Sequence, residues 1–146
     1  MPAERTLRIA AAVAALIGIG IAGYISITEA GGGLPKCVVG GGGGCETVAH
    51  SKYADLAGLK VAYLGVAGYA VLLAAAALRG DIGRFGGALA ATVGVGFSAY
   101  LTYLELSVIN AICQWCVASA VTMTVLFALN VARAAGYLGR LADPAR

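Results

Sequence analysis

Charge is scarce in this sequence. Only 12% of the 146 residues are charged while 60% are hydrophobic, a balance far from that of a soluble globular chain, so a membrane protein with room for one domain, residues 1–146, is expected. Histidine is almost absent. His50 stands alone, so no bis-histidine haem pair can be assembled, and Val117 after Cys116 rules out a Cys-x-x-Cys-His haem attachment. Ten basic residues against seven acidic ones give a net charge of +3, yet the basic residues are scattered between apolar runs, without the basic stripe of a nucleic-acid binder. The apolar runs also lack the interior charges and breaks that usually mark a transporter's substrate path.

What the sequence does have is four long apolar runs: Leu7 to Thr28, Leu59 to Leu78, Phe85 to Leu104 and Ala111 to Ala132. Each is near the roughly 20 residues a helix needs to cross about 30 Å of hydrocarbon. The expectation is an all-α integral membrane protein, a four-transmembrane-helix bundle with helices at 7–28, 59–78, 85–104 and 111–132 and a long extracytoplasmic loop, 29–58, between the first two. The first run is longer than a signal-peptide core and no small-x-small cleavage site follows it, so it is expected to stay in the mature chain. Gly18, Gly20, Gly23, Gly94 and Gly96 would let helices approach closely in lipid, although a glycine-rich composition alone accounts for them equally well.

Arg5, Arg8, Arg79, Arg84, Arg133, Arg140 and Arg146 fall on one side of the runs, and Lys36, Lys52 and Lys60 on the other. Positive-inside bias then places both termini in the cytoplasm of a multi-pass protein of the cytoplasmic (inner) membrane. All four cysteines come out on the opposite, oxidising face.

Cys113-Gln114-Trp115-Cys116 stands where a short turn, 105–110, is expected to become a helix. At least one sulfur then lies among the unsatisfied N–H groups at the positive end of the helix dipole, which favours thiolate. A two-residue spacer suits a small reversible disulfide. Zinc is the alternative use of such a pair, but it fits poorly with Cys37 and Cys45 eight positions apart and a single histidine. Five consecutive glycines, 40–44, separate Cys37 from Cys45. That freedom suits a shuttle visiting an external partner and then Cys113, while a static disulfide closing the loop is the other reading. A carboxylate at Glu105, near the outer end of the third run, is expected to snorkel to water, an influence on proton uptake at the site being the other reading.

These features together resemble the vitamin K epoxide reductase family in its short prokaryotic form: Cys37 and Cys45, Ser51 six positions further on, the stretch Ser98-Ala99-Tyr100-Leu101-Thr102-Tyr103-Leu104-Glu105, and the Cys113/Cys116 pair. The resemblance covers nearly the whole chain and implies four helices around a quinone pocket. It further implies that Cys116 faces the quinone, that Cys113 is its disulfide partner, that Cys45 attacks Cys113, and that Cys37 meets an external thiol protein. Leu101, by family position, and Tyr69 are expected to wall the pocket. Ser51 is expected to supply a supporting hydrogen bond, or else to cap a short amphipathic segment, 51–56.

The implied activity is quinone-dependent thiol oxidation, with ubiquinone or menaquinone as acceptor and no metal. The chain would reoxidise a separate thioredoxin-fold partner of the DsbA type, because no thioredoxin-like domain follows the last helix, and so promote disulfide formation in exported proteins. Two departures from the animal epoxide reductases argue against vitamin K epoxide as substrate: Ala120 stands where they have a tyrosine, and the second helix has no asparagine. A non-enzymatic membrane scaffold or metal-handling protein with cysteine ligands is the alternative.

Overall fold

The computed structural model describes residues 2–33, 47–48, 50–52, 55–56 and 58–145. Among these, four helices dominate: α1 Pro2–Ala30, α2 Val61–Ala77, α3 Asp81–Tyr103 and α4 Gln114–Ala142. Before α2 comes a small antiparallel hairpin, β1 Asp55–Leu56 against β2 Leu59–Lys60, with Gly58 at φ 85° in its turn. The segment expected to be a short amphipathic piece thus ends as a strand. The loop cysteines Cys37 and Cys45 lie outside the described residues.

Among the described residues, three stretches are long and apolar enough to cross a membrane, Ala3–Ala30, Asp81–Ile109 and Gln114–Ala142. The fourth helix is apolar but shorter, 17 residues, because Leu59 and Lys60 pair in the hairpin and Leu78 leaves the helix in an extended conformation. Outward positions on α1 such as Ile9, Val13, Leu16 and Ile27 are exposed, which in an apolar helix means a lipid-facing surface.

The helices form a ring in chain order: α1 packs on α2 and α4, and α3 packs on α2 and α4. Small residues make this possible. A Cβ at Gly18 would run into the ring of buried Tyr69, and one at Gly94 would meet Met123 Sδ at 2.6 Å, whereas Gly20, Gly23 and Gly96 face open space. Packing therefore explains two of the five glycines and composition the rest. Gly18→Val is expected to cost about 1–3 kcal/mol by overpacking, read as a lower melting temperature in detergent, and to push Tyr69 off its position.

Helix limits extend beyond the apolar runs where charges find partners. Arg8 donates from Nε and Nη2 to the carbonyls of Ala76 and Ala77 at 3.0 and 3.1 Å, closing the C-terminus of α2. Glu4 receives Arg84 at 3.3 Å, Arg140 at 3.6 Å and Arg133 at 3.9 Å. Arg133, expected just beyond the last span, is instead inside α4 with a fully buried side chain. Three helices thus converge on one carboxylate. This cluster marks the end of the bundle that holds both α1's start and α4's finish, and Cys113 lies at the other end.

Candidate active site

The predicted turn at 105–110 is a continuation of α3. Leu104–Ile109 winds as a wider π-helical coil and stops at Asn110, whose φ of 55° is left-handed. π-Helical turns of this kind shift side chains relative to a regular helix. Here Glu105 is turned inward and 5% exposed; it does not snorkel. Its Oε2 accepts the backbone N–H of Cys113 at 3.2 Å, and its backbone carbonyl accepts that of Ala111 at 3.1 Å. Chain reversal between α3 and α4 is thereby tied down from both sides.

Cys113 is the N-cap residue of α4, with extended backbone (φ −95°, ψ 119°), and its carbonyl accepts the first helical bond, from Val117 N–H at 3.0 Å. Cys116 follows within the first turn, and its thiol lies within hydrogen-bonding reach of both the Cys113 sulfur and the Glu105 carboxylate. Both cysteines are free thiols. The hydrogen bond from the Cys116 thiol, helped by the backbone N–H groups of Cys116 and Trp115, holds the Cys113 thiol below the ordinary thiol range against the opposing effects of burial and the Glu105 charge. The sulfur favoured as thiolate by the helix N-terminus is therefore Cys113. Trp115, between the two, stacks on Tyr24 of α1 with ring centroids 4.7 Å apart.

With Cys37 and Cys45 both replaced by serine, alkylation of Cys113 in the reduced protein should rise with pH through an inflection below the ordinary thiol range. Adding Cys116→Ala removes the hydrogen-bond donor and should return the inflection toward the ordinary thiol range of about 8.5. Alkylation rates followed by mass spectrometry across pH check this.

Both sulfurs face a cavity of about 620 Å³ whose other walls come from α1, α2, α3 and the 47–52 segment. Leu101 and Tyr69 line it, as do Ser51, Glu105 and Ala120. The Tyr69 hydroxyl donates to the carbonyl of Ser119 at 2.8 Å and pairs with the Ser119 hydroxyl at 2.7 Å, so the phenol is fastened to α4 one turn beyond Cys116. Ser51 donates to the carbonyl of Val48 at 2.8 Å, which keeps its hydrogen bond within its own segment. No lysine, arginine or histidine is among the described lining residues. A largely apolar chamber with a few polar groups and two sulfurs at one end suits a flat, weakly polar ring with a hydrocarbon tail.

A family model for the vitamin K epoxide reductase family matches residues 9–131. The chain belongs to the vitamin K epoxide reductase family. The matched stretch begins in α1 and ends in α4, so it contains the entire cysteine-lined cavity. Membership makes the chain a membrane protein of an oxidoreductase family known to use quinone.

Sequence reasoning passed over Ser119 and undervalued Glu105. Ser119 lies three residues after Cys116, on the same helix face, and that spacing was a usable signal. Glu105 was a lone carboxylate in an apolar run eight residues before Cys113, but inward and outward positions near a helix end look alike in sequence.

Proposed function

We propose that this chain is a quinone-dependent membrane thiol oxidoreductase that reoxidises a separate thioredoxin-fold protein of the DsbA type. The observation that carries the reading is the Cys113/Cys116 pair lining a large apolar cavity, with Cys113 at the N-terminus of α4 and shifted toward thiolate. Quinone is the oxidising substrate and supplies a two-electron, two-proton sink. The cavity's apolar walls, Leu101 and Tyr69 among them, hold its ring beside Cys116. Cys37 takes electrons from the partner's dithiol, Cys45 passes them to Cys113, and the pair closes as a disulfide when they leave.

In this reading α2 is the fourth crossing, both termini are cytoplasmic, and the cysteine end faces outward across the inner membrane. The lopsided distribution of arginine supports that orientation. Disulfide exchange also needs an oxidising compartment, and the quinone pool reoxidised by respiration makes net oxidation the direction.

The order of the relay is testable. Cys37→Ser or Cys45→Ser should abolish oxidation of a thioredoxin-fold dithiol protein while leaving quinone reduction by dithiothreitol within about twofold, because a small dithiol reaches Cys113 directly. Equal loss of both activities in the loop variants would sink the two-pair scheme. Labelling of Cys37 and Cys45 by an impermeant thiol reagent only after cell lysis would sink the proposed orientation.

A further inference from the structure

Glu105 is buried in an apolar cavity that no described basic side chain lines, and among the described residues its carboxylate has two polar neighbours: the Cys113 N–H at 3.2 Å and the Cys116 thiol. A capping role for Cys113 needs only an oxygen acceptor. A titratable group touching a reacting sulfur offers more. We infer that Glu105 is the proton carrier of the cysteine pair, giving a proton to Cys116 when the disulfide opens and taking it back when the disulfide closes. This rests on the reading of Cys113/Cys116 as a reversible disulfide.

The step balances as follows. A donor thiolate attacks Cys113 Sγ, and a donor–Cys113 S–S bond forms as the Cys113–Cys116 bond breaks, leaving its electron pair on Cys116 Sγ. A proton passes from the Glu105 carboxyl to that sulfur. Glu105 is left as a carboxylate, held by the Cys113 N–H. In closure the proton returns from Cys116 to Glu105 as Cys116 attacks Cys113 and the donor sulfur leaves with the electron pair. Cys116 has need of such a partner because it is the leaving sulfur, while the Cys113 sulfur has the helix N-terminus to support its charge.

The other titratable groups facing this point are Cys113 itself, Tyr69 from α2, held at Ser119, and Glu29 from the end of α1. Neither Tyr69 nor Glu29 is hydrogen-bonded to either sulfur. Glu105 is therefore the group placed for the transfer.

The test compares wild type, Glu105→Gln and Glu105→Ala in the full-length detergent-solubilised protein, with Cys37 and Cys45 replaced by serine in each. The readout is opening of the preformed Cys113–Cys116 disulfide by dithiothreitol, followed by Trp115 fluorescence across pH, with no quinone present. Glutamine keeps the acceptor for Cys113 N–H but carries no exchangeable acid. Wild type should show a bell-shaped profile, rising as dithiothreitol ionises and falling as Glu105 loses its proton. Glu105→Gln should be slower at the optimum by about 100-fold, the usual scale of a lost general acid, and should rise monotonically with pH, with Glu105→Ala similar. A glutamine variant that keeps wild-type rate and a bell-shaped profile would overturn the proposal and leave Glu105 as a cap. If the wild type forms no Cys113–Cys116 disulfide at all, the functional reading falls along with it.

Discussion

Cys116→Ser should abolish quinone reduction by the purified protein with dithiothreitol as donor, a loss of at least about 1,000-fold in turnover, on the scale of a removed nucleophile. Serine keeps the size of the side chain and can still donate toward Cys113, so the fold and the cavity should survive. What it cannot do is share a disulfide. Cys113 then has no partner sulfur through which to give up two electrons, and the site is reduced to a single thiol. Cys113→Ser should lose as much for the complementary reason, since the sulfur that receives attack is gone. Measurement of quinone absorbance under anaerobic conditions with both variants checks this, with melting temperatures to show that each is folded. Substantial turnover in either variant would show that electrons reach quinone without the pair.

The second large effect should be on stability, at the far end of the bundle. Glu4 is the one carboxylate shared by Arg84, Arg133 and Arg140, and the Arg133 side chain is completely buried. Glu4→Gln removes the countercharge and leaves that guanidinium in a low-dielectric interior without compensation, which costs about 3 kcal/mol or more. A fall of roughly 10 °C in the melting temperature in detergent is the expected reading. Arg140→Gln should cost under about 1 kcal/mol, since that side chain is 38% exposed and its pairing with Glu4 is solvated. Replacing Arg133 by methionine together with Glu4→Gln should recover much of the loss, because a buried ion pair is often matched by an apolar side chain of similar volume. Equal melting temperatures for Glu4→Gln and Arg140→Gln would show that the cluster does not hold α1 to α3 and α4.

Departures from the sequence expectations have local physical causes. The second apolar run was read as a span of 20 residues, but its first two residues pair across the Gly58 turn and its last leaves the helix, so the helix is 17 residues long. Hydropathy cannot distinguish an apolar strand residue from an apolar helix residue when the run is continuous. The third run was expected to end in a turn at 105, and instead its helix widens through Ile109. That outcome depends on Glu105 finding Cys113 N–H across the chain reversal, a contact between residues eight apart that no periodicity announces.

The sequence by itself determined the class of this protein, since its scarcity of charge and its long apolar runs leave lipid as the natural solvent for its helices. It also determined the chemistry available, because a Cys-x-x-Cys at the entrance of a helix has thiolate support from the N–H groups of that helix wherever it occurs. Only the tertiary structure decided which sulfur receives that support, that Glu105 faces inward to meet the pair, that Tyr69 is fastened to Ser119 beside the cavity, and that Arg133 is buried against Glu4. Each of these depends on side chains from different helices meeting. Helix rotation and approach are set by small residues such as Gly18 and Gly94, whose packing partners are distant in the chain and so invisible along it.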